Sequence, residues 1–351
     1  MHQNEMQIKR SRHYRSSRRA TVPFHLLQAA HKNEHDFLNN NNANTQAALI
    51  DDDKRNTIQL RGGSGSDVAE RTTSAIVMLA VVTLLVKKFG QNGIIGLILL
   101  SQTVMYHEAC KTVSLGDTVH FPNGMKVQQW WWYLTVQCGI GARFLNLFKC
   151  SELGAFGMAA LSLVLGVVTM AHIGFDYFQP YLSKVASSHF ALLFLVVQSS
   201  TWFLTLQEFG TVWFFFPALL VIVNDTMAYV FGRLIGKNKL VPKLSPKKTK
   251  EGFWGAAVST IAVASPLLRF MLSLGDGAGD FSSDLQRHAI AIALYVSIVS
   301  PFGGFLASAV KRTYGAKDFG AFIPGHGGAI DRLDCQIVTA PFVYFYLKQY
   351  F

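Results

Sequence analysis

The sequence predicts an all-α, polytopic transmembrane helical protein with about nine spans, and three observations carry that reading. Half of its residues are apolar and only 15% are charged. Apolar runs of helical length recur from Ser74 to the last residue, separated by short polar segments. The charges gather in those segments, with the most basic ones two spans apart, as expected where cations stay on one side of a bilayer.

Residues 1–70 are polar: basic at Lys9, Arg10, Arg12, Arg15, Arg18 and Arg19, Asn-rich from Asn39 to Asn44, and acidic at Asp51–Asp53. Such a segment holds too little apolar surface to order itself, which predicts a disordered cytosolic tail. Its first thirty residues contain one acid, Glu5, among many Arg and Ser, a composition that an organellar transit peptide shares. No apolar signal core precedes residue 74, so the first span is expected to direct insertion itself.

Spans are expected at about 74–87, 92–106, 128–148, 154–174, 189–207, 211–232, 253–274, 289–309 and 336–351. A helix needs about 20 residues to cross roughly 30 Å of hydrocarbon, so the first, second and last runs are short, and the first two could form a shallow hairpin. Residues 71–210 are read as an N-terminal helical region and 211–351 as the region that carries the chemistry. Trp130, Trp131, Trp132 and Tyr133 are expected to be an interfacial anchor or, failing that, a buried aromatic cluster. Cys110, Cys138, Cys150 and Cys335 lack C-x-x-C spacing, so they are read as packing residues without zinc or disulfides.

The formal charge of +11 does not point to nucleic acid, because the cations sit between apolar runs rather than along one soluble face. Segment 233–251 carries Arg233, Lys237, Lys239, Lys243, Lys247, Lys248 and Lys250 against Glu251 and should face the cytosol. Two spans later 311–334 is basic again at Lys311, Arg312 and Lys317, while the loop between carries Asp276, Asp280 and Asp284 against Arg287. Two crossings return the chain to the same side, as this pattern requires.

Two polar constellations stand out. The first holds Asn224, Asp225, Ala228, Tyr229, Gly232 and Gly236, then Leu244 to Gly252. Asp225 interrupts an uncharged run that starts near Thr211, about 21 Å along that span. An ionised Asp near a bilayer centre costs on the order of 3 kcal/mol, so a divalent cation or an Arg or Lys from another span must compensate it. Pro246 is expected to make a turn, Ser245 and Thr249 offer hydroxyls, and Lys247 and Lys248 sit beside the next helix N-terminus, a setting suited to polyphosphate. Glu251 suits that N-terminus as a favourable acid, or a metal or ribose as a ligand.

The second constellation runs from Ser308 through Lys311, Arg312, Lys317 and Asp318 to Pro324, Gly325, His326, Gly327, Gly328, Asp331, Arg332 and Asp334. Its glycines would let the backbone approach a phosphate, with His326 either a phosphate donor or a structural hydrogen-bonding group. Asp331 and Asp334 share a helical face and could hold one cation between them, with Asp318 as a third carboxylate.

With these residues in view, the chain resembles the eukaryotic branch of the CDP-diacylglycerol synthase (phosphatidate cytidylyltransferase) family. The stretch SAVKRTYGAKDFGAFIPGHGGAIDRLD follows the family signature without a gap, and NDTMAYVFGRLIG, LSPKKTKEGF, PFGGFLAS and DCQIVTAPF match further. The likeness covers about residues 71–351 and is densest from 211 on; loop 275–288 is shorter than in animal members, and the tail 1–70 has no recognised counterpart in the family. It implies a membrane enzyme that uses Mg²⁺, alone or with a second cation, to make CDP-diacylglycerol and pyrophosphate from CTP and phosphatidic acid. The endoplasmic reticulum is the implied membrane, ahead of mitochondrial or plastid ones. Metal ligands are then expected among Asp225, Asp318, Asp331 and Asp334. Catalytic groups are expected at Lys311, Arg312, Lys317, Asp318, His326 and Arg332. Contacts to CTP or phosphate are expected from Asn224, Ser245, Lys247, Lys248, Thr249, Glu251, Gly325, Gly327 and Gly328.

A CTP-dependent polyprenol or phytol kinase shares the first constellation in outline but lacks the second. An ion-coupled transporter would suit intramembrane acids, yet the glycine–histidine loop and the one-sided basic segments speak against it. The sequence is compatible with a homodimer and fixes no oligomeric state.

Charge parity makes a direct prediction about sidedness. Single cysteines placed at Ser245 and Ser282, with the native cysteines replaced, should react with an impermeant thiol reagent from opposite faces of sealed vesicles. Labelling from one face only would break the span count between them.

Overall fold

A computed structural model describes residues 80–115, 124–141, 152–274, 283–320 and 327–351, together with Thr73. The expected tail 1–70, the first span before residue 80, Cys150, Asp276, Asp280, Ser282, and segment 321–326 with Pro324, Gly325 and His326 lie outside the described residues.

Among the described residues, four helical stretches are long and apolar enough to cross a membrane: Leu153–His172, Phe178–Leu234, Lys250–Leu274 and Ser283–Thr313. The protein is therefore helical and multi-pass. After helical residues 80–89 come α1 (Gln91–Leu115), α2 (Gly124–Ile140), α3 (Glu152–His172) and α4 (Phe178–Ala191). A π-helical turn (Leu192–Val197) leads into α5 (Gln198–Leu234), which is followed by β1 (Lys239–Val241) and β2 (Ser245–Thr249). The chain continues with α6 (Lys250–Leu274), α7 (Ser283–Ile298), α8 (Pro301–Thr313) and α9 (Ile330–Tyr350).

Several boundaries differ from the sequence-based expectation. The spans expected at 189–207 and 211–232 form one helical stretch of 57 residues, interrupted at Gly210 with φ 84° and ψ −175°. That φ favours glycine, and about 85 Å of helix is too long for a single crossing. The stretch also begins earlier, at Phe178, because α4 turns Tyr181, Lys184, Ser188 and Ala191 inward although its polar residues break the apolar run. The single span expected at 289–309 is two helices. Pro301 has no N–H to continue α7 but is well placed at the first position of α8. The break is tied to α9 by Ser300 Oγ donating to the Cys335 carbonyl at 2.9 Å.

The two-stranded antiparallel ribbon β1–β2 was not expected in an all-α chain. Its turn is made at Pro242, with Leu244 N–H donating to the Val241 carbonyl at 3.2 Å, and Pro246 lies within β2 rather than at a turn. Nor are the aromatics of α2 simply a belt, since Trp130 and Tyr133 pack inward on Tyr106 with ring centroids 5.7 and 5.1 Å away.

Apolar burial adds little between helices already in lipid, so close packing and polar pairs decide which faces meet. Gly232 of α5 faces Gly252 of α6, where an added Cβ would stand 3.0 Å from the Gly232 Cα. Phe216, Leu220, Leu268, Ile292, Ile337 and Leu347 fill the space among α5, α6, α7 and α9. On the other side, fully buried Gln102 of α1 donates to the Val196 carbonyl (3.1 Å) and to Ser199 Oγ (2.9 Å), and its Oε1 accepts from Gln137 at 2.8 Å. This amide joins α1, α2 and the start of α5.

Gln102→Ala should lower Tm in detergent, at a cost of about 1–3 kcal/mol, because it removes the buried amide that links Gln137 to the Val196 carbonyl and Ser199 and leaves a cavity in its place. An unchanged melting temperature would show that the network is replaceable.

Candidate active site

Two motifs far apart in sequence meet where α8 packs against α9. The helices approach closely because Gly303 and Gly304 have no side chain; a Cβ on Gly303 would run into the Asp334 backbone carbonyl. At Gly304, an added Cβ would lie 3.0 Å from the Lys248 ammonium and 3.3 Å from Asp334 Oδ2. The bare backbone thus admits a cation from β2 beside a carboxylate from α9. Lys248 Nζ also lies 4.6 Å from the centroid of the Phe305 ring, a cation–π contact that helps to aim it.

Asp225 of α5 joins this group. Lys248 acts electrostatically on both Asp225 and Asp334, Arg332 acts on Asp225, and the two carboxylates repel one another. The Cys335 thiol sits 3.9 Å from Asp225 Oδ1, so this cysteine borders the acids as well as packing. Beside them lies a cavity of about 140 Å³ lined by residues that include Asn224, Asp225, Lys247, Lys248, Thr249 and Phe305. Asn224 is held there by Thr260 Oγ1, which donates to its Oδ1 at 3.3 Å.

The expected phosphate segment divides by role. Thr249 is buried and caps α6, accepting the Gly252 N–H on Oγ1 at 3.1 Å. Glu251 clamps the preceding loop: its carboxylate accepts the N–H groups of Lys237 and Asn238 at 3.1 Å and the Asn238 side-chain amide at 2.6 Å. Ser245 is paired in the ribbon and does not line the cavity. Lys247 and Lys248 do.

Asp331 belongs to a neighbouring arrangement. Lys311 Nζ lies 2.5 Å from its Oδ1, and the Phe319 and Gly328 N–H groups point at its Oδ2 from 3.1 and 3.4 Å. Asp331 and Asp334 therefore turn to different partners despite sharing a helical face. Asp318 is exposed and approaches Asp331 across Gly327, whose φ is +83°; Asp318 Oδ1 and Asp331 Oδ2 both stand 3.8 Å from where a Gly327 Cβ would be. Arg312, Lys317 and Arg332 are exposed around this edge.

Glu108 was missed by the sequence reading. This residue of α1 is 4% exposed, and its Oε2 accepts the N–H of Ile330, the first residue of α9, at 3.1 Å. A Cβ on Gly320 would lie 2.5 Å from Glu108 Oε1, and one on Gly328 would lie 2.8 Å from Oε2. Gly320 and Gly328 thus make room for a carboxylate from another helix. The signal available beforehand was an acid directly after the apolar run at 92–106.

The sequence model of the Cytidylyltransferase family matches residues 69–350. Among curated proteins, the chain is 39% identical over 204 residues to phosphatidate cytidylyltransferase 1 of Arabidopsis thaliana, covering 48% of each chain. It is 40% identical over 190 residues to the phosphatidate cytidylyltransferase of Encephalitozoon cuniculi (strain GB-M1), covering 49% of this chain and 48% of that one. It is 30% identical over 338 residues to that of Caenorhabditis elegans, covering 79% and 70%. The chain thus spans about half the length of the first two relatives.

Glu108→Ala should destabilise the protein by about 1–3 kcal/mol, since it leaves the Ile330 N–H without its acceptor in a buried setting, whereas Glu108→Gln keeps an acceptor and should lose less. Thermal unfolding of both variants in detergent checks this, and equal losses would show that the charge rather than the acceptor matters.

Proposed function

The chain belongs to the cytidylyltransferase family, and from that premise we propose that it joins CTP to phosphatidic acid, forming CDP-diacylglycerol and releasing pyrophosphate. The observation that carries this reading is the meeting of Lys248 and Asp334 at the Gly304 wall, which makes one site from the two constellations. Named relatives that are phosphatidate cytidylyltransferases support it.

The attacking group, a phosphate monoester with a second pKa of about 6, is mostly dianionic at pH 7 and needs no general base. The difficulty is that two anions must meet, and charge then builds on the departing pyrophosphate. Lys247 and Lys248 face the cavity that would take the CTP phosphates, while Lys311, Arg312 and Arg332 line the edge where the lipid phosphate would arrive. Asp331 and Phe319 hold the Lys311 side chain in place, by ion pair and by a ring 5.6 Å from its ammonium.

Mg²⁺ suits the donor set. Asp225 and Asp334 are hard oxygen donors close enough to repel, and no group of three or more His, Cys, Asp or Glu that could hold a metal gathers among the described residues. Two carboxylates plus water and phosphate oxygens make the kind of shell Mg²⁺ prefers, whereas a second cation at Asp318 and Asp331 would have to displace the Lys311 ammonium from Asp331. When bound, the metal would neutralise phosphate charge.

The proposed topology keeps about nine crossings, two of them within Phe178–Leu234, in the endoplasmic reticulum membrane. Residues 1–70 form a cytosolic tail in this reading. Both basic segments open to the cytosol, where CTP is available.

Supplying the purified chain with phosphatidic acid and CTP labelled at the α- or γ-phosphate tests the reaction. The α label should appear in lipid and the γ label in pyrophosphate; γ label in lipid with release of CDP would mean a kinase. Asp334→Asn should lower turnover at least about 100-fold, roughly 2.7 kcal/mol of transition-state stabilisation, without loss of folding. Asp331→Asn should lower both turnover and Tm, because it also strands the Lys311 ammonium. Near-wild-type turnover in both variants would remove these acids from the site.

A further inference from the structure

We propose that the cavity of about 320 Å³ among α1, α4, the π-helical turn, α8 and the start of α9 holds one acyl chain of the anionic glycerolipid substrate, and that Ala109 and Ala307 set how long a chain it takes. This rests on the function proposed above.

The walls are apolar apart from the hydroxyls of Ser187 and Tyr314, which bond to each other at 3.1 Å and so make little demand on a ligand. Room exists because Ala109, Ala191 and Ala307, from three different helices, present single methyl groups to it. Water finds few partners in such a space, and an empty one forfeits dispersion contacts along its lining, so an apolar occupant is favoured. The π-helical turn contributes Phe194 and Leu195 to the wall, a backbone irregularity of the kind often found at functional positions.

One end of the cavity abuts the charged site. Phe319 lines it while its N–H donates to Asp331 and its ring lies beside the Lys311 ammonium. Ile330 lines it while its N–H is held by Glu108. Val310 lines it directly before Lys311 and Arg312. At the rim, Phe190 is 48% exposed and its neighbour Leu193 is 62% exposed, on a surface that lipid would cover. A ligand that matches this gradient has an anionic head at the cations and a long apolar chain running away from it. That is the build of phosphatidate rather than of a zwitterionic bilayer lipid such as phosphatidylcholine, whose head would bring no net negative charge to Lys311 and Arg312.

The test uses the purified full chain in mixed micelles with dioctanoyl and dipalmitoyl phosphatidate. Ala307→Phe and Ala109→Phe are expected to lower the ratio of kcat/KM for the long chain over the short one at least about tenfold, with KM for CTP within about twofold of wild type. Equal losses at both lengths would overturn the proposal. For variants that do not fold, wild-type labelling decides. Phosphatidate carrying a diazirine at its chain end should mark peptides containing Phe190–Leu195 or Leu306–Val310, and excess dipalmitoyl phosphatidate should abolish the marking. Marking that phosphatidylcholine removes equally well would assign the cavity to bulk lipid and overturn the proposal. If the wild-type chain makes no CDP-lipid from either phosphatidate, the proposed function fails, while the labelling still decides the cavity.

Discussion

Carboxylates carried on helices among apolar neighbours constrain the arrangement around them, because a charge taken out of water must regain its interactions from the protein. Asp331 does so through Lys311 and two backbone N–H groups, whereas Glu108 accepts the first N–H of α9 on Oε2 and leaves Oε1 buried without a hydrogen-bond partner among the described residues. These two acids hold the end of α8, the segment around Phe319 and the start of α9 in one frame. Asp225 and Asp334 are settled differently, with Lys248 acting on both beside an open cavity. The proposed site, which would gather phosphates and cations, draws on acids of this second kind, supported by a frame made from the first.

The frame depends on places where helices are interrupted or stripped of side chains. Pro301 separates α7 from α8 and lets α8 turn its Gly303–Gly304 face onto α9. Gly210 breaks a helical stretch too long for one crossing, and Gly232 with Gly252 brings α5 against α6 at the end nearest the ribbon. Each is a loss of local regularity that produces a closer tertiary approach, which in a lipid environment replaces the apolar driving force available in water.

Much of the site was legible beforehand. Asp225 stood out as a lone acid in an apolar run, and the spacing of Lys311, Asp318, Asp331 and Asp334 marked the second motif. Glu108 did not stand out, because the group it satisfies belongs to a residue 222 positions away. The ribbon was equally hidden: its strands are short and lysine-rich, and Pro242 rather than Pro246 makes the turn. Gly328 read as room for a phosphate, whereas it gives room to the Glu108 carboxylate, as does Gly320.

By itself the sequence determined that this is a multi-pass helical membrane protein, which family it resembles, and which residues to look for at a candidate site. Those conclusions follow from apolar length, charge placement and local spacing, all short-range properties of the chain. Only the tertiary structure decided that Lys248 stands beside Asp334, that Asp331 is bound to Lys311 and so differs in partners from Asp334, and that an apolar cavity adjoins Lys311 and Asp331. Such pairings depend on which helix faces meet, and that is set by close packing and buried polar bonds between residues distant in sequence.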